Sequence, residues 1–210
     1  MNFNTEATQA GAFLASIWGG ETPTAFIGIK KPDGEFRNIA VESVTDAIQI
    51  AQKFGAEGCD VYFSCATFKN HSCREGDNAE CAYGYWLDLD CGEKKAATGE
   101  GYASKKEAWA ALQKFIQQTG MPKVTALVDS GNGLHAYWMS ADAIPATEWK
   151  AQAAKLKALT HHYGLLADDS RTADMASVLR VPGTFNFKTP ETPKPVKLRY
   201  LQAMEVSHAE

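Results

Sequence analysis

The sequence has no apolar run close to the roughly 20 residues that a membrane-spanning helix needs. Its first residues, Met1 to Ala7, lack the basic start of a signal peptide. There are only five cysteines, an odd number that argues against a disulfide framework in a chain with no secretory signal. These absences predict a cytoplasmic protein.

The chain also has little net charge and no low-complexity tract or internal repeat. Its formal charge of −4, with 22% charged residues, excludes wholesale disorder and does not by itself indicate a nucleic-acid-binding protein. The distribution is uneven, however, because Pro145 to Leu201 contains nine Lys or Arg against five Asp or Glu. An excess of +4 there is compatible with a surface that binds a phosphate backbone.

The patterning predicts a mixed α/β (α+β) fold, and 210 residues with 45% hydrophobic content suffice for one large domain or two closely packed lobes. Helices are predicted at 5–18, 44–54, 104–118 and 145–163, and strands at 24–30, 36–41, 60–64, 83–90, 124–129, 134–139 and 196–201. Long loops are predicted at 65–82 and 91–103. Ser104 and Glu107 form a capping box at the start of the third helix. The order after residue 83 is close to the split βαβ plan.

Four potential zinc ligands lie in or near the first loop. They are Cys65, His71, Cys73 and Cys81. Their spacing matches none of the tight Cys-x2–4-Cys patterns of structural zinc sites. Unpaired thiols in a loop are therefore the preferred interpretation, with zinc as the alternative.

The strand 83–90 ends in Asp88 and Asp90, which point to the same side because strand side chains alternate. Gly84 and Trp86 share that side, and the opposite side is predicted to be the buried one. Two adjacent carboxylates repel each other, and burying them unpaired is costly. A divalent cation relieves this repulsion, and oxygen-only ligands suit Mg²⁺ or Mn²⁺. The alternative is a strand end at which both acids meet water.

A second candidate element is the turn from Ser130 to Gly133, followed by His135. The glycines predict a tight hairpin turn whose backbone N–H groups can approach an anion. His135 beside this turn suits a contact to a nucleotide phosphate. The alternative is a hairpin with a half-buried histidine, since most histidines are not catalytic.

The third candidate element runs from Asp168 to Lys188. Asp168 follows a short apolar step and supplies the third carboxylate that a two-metal site needs. Arg180 and Lys188 flank a Pro-Gly turn, as cations suited to phosphates. The alternative interpretation of these residues is surface charge on a loop.

Together these elements resemble the archaeo-eukaryotic primase superfamily, in particular the primase-polymerase modules of phages and plasmids. The superfamily has three motifs in order: an acid-x-acid, a small residue-x-His, and a hydrophobic residue followed by Asp. Here they correspond to segments within residues 83–188. The segments are Trp86–Gly92, Asp129–Trp138, Ala167–Asp168 with Thr172–Asp174, and Val178–Asn186.

The resemblance implies a role for each matching residue. Asp88 and Asp90 would be metal ligands and His135 would contact the phosphates of the incoming nucleotide. Gly133 holds the small-residue position of the second motif, and Ser130 is a nearby hydroxyl. Asp168 would be the remaining metal ligand.

Two points depart from a clean match. The third ligand is ambiguous, because Asp169 and Asp174 lie close to Asp168 in sequence. Ser177 stands where related phage sequences tend to have Arg, which removes one possible phosphate contact.

The implied fold is an RRM-like catalytic lobe (83–210) packed on an N-terminal α/β lobe (1–82), with the active site between them in a single primase-polymerase domain. The implied activity is primer synthesis or extension on single-stranded DNA, with two Mg²⁺ or Mn²⁺ ions and ribo- or deoxyribonucleoside triphosphates, in phage or plasmid replication. A helicase domain in a longer parent chain is a further expected partner. Two alternatives remain: a catalytically inactive nucleic-acid-binding replication-initiation module, and a metal-dependent nuclease.

Overall fold

The computed structural model describes residues 3–202, with side chains from residue 7 onward. The helices are Phe3–Trp18 (α1), Val44–Ala56 (α2), Glu93–Ala97 (α3), Lys105–Thr119 (α4), Ala146–Tyr163 (α5) and Asp169–Thr172 (α6). The strands are Ala25–Lys30 (β1), Phe36–Val41 (β2), Asp60–Ser64 (β3), Thr67–Phe68 (β4), Ala79–Asp90 (β5), Ala126–Asp129 (β6), Gly133–Pro145 (β7), Val178–Arg180 (β8), Phe185–Asn186 (β9), Lys194–Pro195 (β10) and Lys197–Leu201 (β11). Within the described part, no helix is long and apolar enough to cross a membrane.

A four-stranded antiparallel sheet with the order β2-β1-β3-β8 forms one half of the molecule. The hairpin β1–β2 is formed by the strands predicted at 24–30 and 36–41. Alternating residues of β1 and β3, such as Ile27 and Phe63, are fully buried against α1, whose Phe13 and Leu14 are also fully buried. The apolar stripe predicted for α1 therefore faces the larger hydrophobic core.

A second, five-stranded sheet has the order β11-β6-β7-β5-β4. Because β7 lies between β5 and β6, and α4 connects these two, the sheet contains the predicted split βαβ unit. The last strand, β11, pairs with β6, so it lies at the edge far from β5. The short β4 pairs with β5 instead. The predicted mixed α+β fold class is confirmed.

The prediction that one side of β5 is buried was incomplete, because both sides are covered. Leu87 and Leu89 pack in the smaller core with α4 and α5, whereas Trp86 packs in the larger core on the opposite side. Trp86 is held by an Nε1–H donated to the carbonyl of Arg171 and by stacking on Trp149 at 4.7 Å. The side that carries the acids is therefore open only at the strand end.

Several predicted boundaries were wrong. The loop predicted at 65–82 contains β4 and the start of β5, which begins four residues before position 83. The loop predicted at 91–103 contains α3, and α2 continues through Gly55 to Ala56. The capping box is confirmed, since Ser104 Oγ accepts from the Glu107 backbone N–H.

The predicted division at residue 83 stays a prediction, and its limits at residues 1 and 210 lie outside the described residues. Each half contributes a strand to the other. β8 joins the N-terminal sheet, and β4 joins the C-terminal one. Through this exchange, β8 places Arg180 beside Tyr62 of β3.

Candidate active site

Strand register brings the first two predicted motifs together. In the antiparallel pair β5–β7, Asp88 lies opposite His135, and Asp90 lies opposite Gly133. A Cβ atom on Gly133 would lie 2.4 Å from the carbonyl oxygen of Leu89, closer than real Cβ contacts. Glycine at this position therefore allows β5 and β7 to approach each other at the site. Gly133 does not itself line the pocket described below.

The third acid reaches the same place through a backbone hydrogen bond. The Asp168 N–H donates to the Asp88 carbonyl at 2.8 Å, just before the short helix α6. The Asp168 carboxylate accepts from the backbone N–H and the hydroxyl of Ser170, so it caps that helix. This places the Asp168 side chain at the mouth of the pocket beside the strand acids.

The two alternative acids face elsewhere. The Asp169 carboxylate contacts His161 Nε2 at 2.7 Å and lies 3.9 Å from Lys157 Nζ. The Asp174 carboxylate accepts from the Ala176 N–H. Neither acid lines the pocket, so the geometry favours Asp168 over both.

The three acids share a pocket of about 200 Å³ with several cationic and polar side chains. The polar and charged residues around it are Tyr62, Asp88, Asp90, Ser130, Asn132, His135, Asp168, Arg171, Arg180, Asn186 and Lys188. The predicted residues Ser130, His135, Arg180 and Lys188 are therefore all present. The pocket combines anionic and cationic groups, as a site for a metal-bound polyphosphate requires.

The environment disfavours the charged form of Asp88. Burial, and then the nearby Asp90 and Asp168 carboxylates, raise the pKa of Asp88 to about 7. His135 Nε2 lies 3.6 Å from Asp88 Oδ1, which is longer than a hydrogen bond. A cation bound here would favour the ionised carboxylate.

His135 is a neutral ring in this structure. Burial, and then the positive charge of Arg180, lower the pKa of His135 to about 3. The contact with Asp88 is therefore not an ion pair, although the two atoms lie within 4 Å. The Tyr137 hydroxyl is 3.4 Å from Nδ1. A ring whose Nδ1 accepts this proton carries its own hydrogen on Nε2, the atom that faces Asp88.

Arg180 is positioned by a residue that the sequence analysis missed. Its guanidinium donates to the carboxylate of Asp60, at the start of β3, and lies over the Tyr62 ring at 4.8 Å from the centroid. Asp60 Oδ1 also accepts the Phe187 N–H at 2.8 Å. Asp60 thus ties β8 and β9 to the N-terminal sheet. No sequence signal links residues 60 and 180, because their pairing depends on which strands become neighbours.

The turn before His135 is satisfied internally. The Ser130 N–H donates to the Gly133 carbonyl, and the Gly131 N–H donates to the Asp129 carboxylate. Asn186 Nδ2 donates to the Ser130 carbonyl and holds the turn against β9. The predicted approach of these two N–H groups to an anion would therefore require the turn to rearrange.

The potential metal ligands are not assembled around one point. In residues 7–202, no three His, Cys, Asp or Glu side chains lie together in a way that could hold a metal ion. In the active-site pocket, Lys95 Nζ lies 3.0 Å from the Asp90 carboxylate and Ser170 holds that of Asp168. These two carboxylates would have to turn from their present partners to share a cation with Asp88.

The four potential zinc ligands are also separated. Cys65 is buried in the larger core, and His71 Nε2 contacts the Val41 carbonyl at 3.1 Å. Cys81 Sγ is 3.1 Å from the Thr67 hydroxyl. The residues described here give no support to a zinc site, and we do not propose one.

Comparison with known proteins finds similar folds among solved structures. No family model and no curated protein sequence matches the chain. Several solved structures do, among them the following three. The primase-polymerase AEP domain of cyanophage S-2L has 14% identity and a TM-score of 0.66 over 93% of this chain and 90% of its own.

The other two structures were solved with DNA. The catalytic domain of primase Repb′ in complex with initiator DNA has 18% identity and a TM-score of 0.54, over 94% of this chain and 86% of its own. The polymerase domain of Mycobacterium tuberculosis ligase D in complex with DNA has 16% identity and a TM-score of 0.52, over 93% and 80%.

At these identities the likeness establishes the fold. The chain has the fold of these primase and polymerase catalytic domains, which is the fold that the motif resemblance implied. What such a fold does in this chain is a question for its site.

Proposed function

We propose that this chain is a nucleotidyltransferase of the primase-polymerase kind, which synthesises or extends primers on single-stranded DNA. The observation that carries the proposal is the meeting of three carboxylates, Asp88, Asp90 and Asp168, with the cations of β8 and the following segment in one pocket. The fold supports it, because the similar solved structures include primases and polymerases.

The three acids have the chemistry of a site for Mg²⁺ or Mn²⁺. All donors are carboxylate oxygens, which these ions prefer. Burial, and then the Asp90 and Asp168 carboxylates, raise the pKa of Asp88, so a bound cation would stabilise its ionised form. When bound by Asp88, Asp90 and Asp168, two such ions would activate a 3′-hydroxyl and neutralise charge on a triphosphate.

The cationic side chains would bind the triphosphate. Arg180 is held in place by Asp60 and faces the pocket, whereas Lys188 is exposed at the pocket edge. Arg171 also lines the pocket, on the short helix that Asp168 caps. Fixed charges of this kind stabilise the charge that develops on the transferred phosphoryl group.

Arg171 is a third cation of the pocket, and only the other two, Arg180 and Lys188, were predicted from the sequence. Ser177 occupies the position at which related phage sequences tend to have Arg. Its hydroxyl donates to the Arg171 carbonyl. We propose that Arg171 supplies a phosphate contact in this chain.

His135 would orient rather than protonate the nucleotide. With a pKa lowered to about 3, its ring is neutral at pH 7, and it would offer a single Nε2–H donor beside Asp88 when Nδ1 accepts from the Tyr137 hydroxyl. Ser130 is buried at the pocket wall and offers a hydroxyl close to the same position. These groups suit hydrogen bonds to phosphate oxygens.

The test is primer synthesis and primer extension on a single-stranded DNA template, with labelled ribo- and deoxyribonucleotides and either Mg²⁺ or Mn²⁺. The wild type should form product and the double variant Asp88→Ala, Asp90→Ala should form none. The absence of wild-type product, or equal product from the double variant, would overturn the proposal. A parallel reaction without nucleotides detects degradation of the DNA, the result expected of a metal-dependent nuclease.

A further inference from the structure

The outer side of the four-stranded sheet, which faces away from α1 and α2, carries a row of aromatic and guanidinium groups. In the sheet register, Tyr62 pairs with Arg180 on one side and with Gly28 on the other, and Gly28 pairs with Asn38. These residues therefore lie in one line across β8, β3, β1 and β2 and share a side of the sheet.

Gly28 provides the space in which an exposed phenylalanine lies. A Cβ atom there would lie 2.6 Å from Cζ of Phe36, so the ring covers the glycine. The Phe36 ring is 5.9 Å from the Tyr62 ring, and Arg74 lies 5.9 Å from the Phe36 centroid. Arg74 is fixed by a hydrogen bond from Nε to Asn38 Oδ1 at 2.8 Å. The four side chains Arg180, Tyr62, Phe36 and Arg74 are called the outer row below.

The outer row is continuous with the active-site pocket, because Arg180 and Tyr62 also line that pocket. It leads from the catalytic acids to the exposed edge strand β2, where Phe36 is 40% exposed. Few large apolar side chains of the described residues are as exposed, and this one has a guanidinium beside it.

The charge of this surface is complementary to phosphate. Lys30 is exposed on the same side of the sheet, next to Phe36 in the register. The acid in line with them, Asp60, is buried and engaged by Arg180. Exposed aromatic rings that alternate with cations are the combination that binds single-stranded nucleic acid, since bases stack on the rings and phosphates meet the cations.

We propose that single-stranded nucleic acid lies along the outer row, with a base stacked on Phe36 and phosphates at Arg74 and Lys30. In the proposed function, on which this inference rests, that strand is the template on its way to or from the pocket. Of these residues only Arg180 was predicted from the sequence, because the outer row consists of residues from three strands and a loop.

The test is fluorescence anisotropy of a labelled short oligothymidylate, without nucleotides, for the wild type and two variants of one position. Phe36→Leu keeps an apolar side chain but loses the ring, and should raise the Kd roughly fivefold or more. Phe36→Trp keeps a stacking surface and should bind like the wild type. Tyr163→Leu is the matched control, because Tyr163 is similarly exposed (37%) on α5 and lies outside the row.

Arg74→Gln tests the phosphate contact separately. A lost phosphate contact should make the slope of log Kd against log salt shallower by about 0.7, the value expected for one charge on a single strand. A role that only supports the fold would not change this slope selectively. Thermal melting of each variant identifies any that is poorly folded.

The outcomes separate this inference from the proposed activity. The double variant Asp88→Ala, Asp90→Ala should bind the oligonucleotide like the wild type, since it leaves the outer row intact. If the protein has no polymerase activity but its DNA binding still depends on Phe36, the inference about the outer row stands and the proposed function is wrong. Wild-type affinity in Phe36→Leu, or no wild-type binding at low salt, would overturn the inference.

Discussion

The assignment of the third carboxylate can be tested by comparing two neighbouring residues. Asp168 faces the active-site pocket, whereas Asp169 faces away and pairs with His161 and Lys157. Replacing each by Asn removes one negative charge and almost no volume. We expect Asp168→Asn to lose most of the nucleotidyl-transfer activity and Asp169→Asn to keep it.

The size of each effect follows from the contacts. Asparagine caps a helix as well as aspartate does, so Asp168→Asn keeps an acceptor for the Ser170 N–H and should change the free energy of unfolding by less than about 0.5 kcal/mol. Losing one metal ligand should remove about 3 kcal/mol of transition-state stabilisation, which is roughly 100-fold in rate. Asp169→Asn loses an exposed ion pair, about 0.5 kcal/mol of stability, without a large effect on rate.

The assay is single-turnover primer extension with saturating Mn²⁺, together with a thermal melt of each variant. Asp174→Asn is a second control, because the Asp174 carboxylate accepts from the Ala176 N–H and lies outside the pocket. Full activity in Asp168→Asn, or a comparable loss in Asp169→Asn, would refute the reasoning from pocket geometry.

Two further predictions concern the scaffold around the site. Gly133→Ala should lower the melting temperature by roughly 3–10 °C, because its Cβ would meet the Leu89 carbonyl and overpacking costs about 1–3 kcal/mol. Gly76→Ala, where the space is open, should not, and equal melting temperatures for both variants would contradict the steric argument. Burial tends to raise the pKa of Asp129, but hydrogen bonds from two cations and a backbone N–H hold it below its usual value. The ionised Asp129 carboxylate should therefore stabilise the fold at pH 7, and this stabilisation should decline as the pH falls below about 4. Denaturant unfolding should show Asp129→Asn to be about 1–3 kcal/mol less stable than the wild type at pH 7 and closer to it at pH 3. An unchanged difference at both pH values would contradict this.

Local patterns in the sequence predicted most elements because they depend on near neighbours. The alternation that ends in Asp88 and Asp90 requires only a strand, and the Ser104–Glu107 capping box requires only a helix start. The failures occurred where tertiary pairing decides. The short β4 forms because the exposed edge of β5 pairs with it.

The predicted pocket residues were found by their chemistry, and the missed ones were invisible for a physical reason. Arg171 and Tyr62 have no local motif, and only the fold brings them beside Asp88. Asp60 reaches Arg180 from 120 residues away because β3 and β8 become neighbours.

The sequence by itself therefore determined which residue types could carry the chemistry: a pair of acids on one side of a strand, a histidine after a glycine turn, and a third acid before two cations. The tertiary structure decided which of them meet. It placed Asp168 rather than Asp169 or Asp174 in the pocket, because one backbone hydrogen bond to Asp88 fixes the start of α6. It also assembled the outer row, since a line of side chains from three strands and a loop depends on sheet register, which no local pattern specifies.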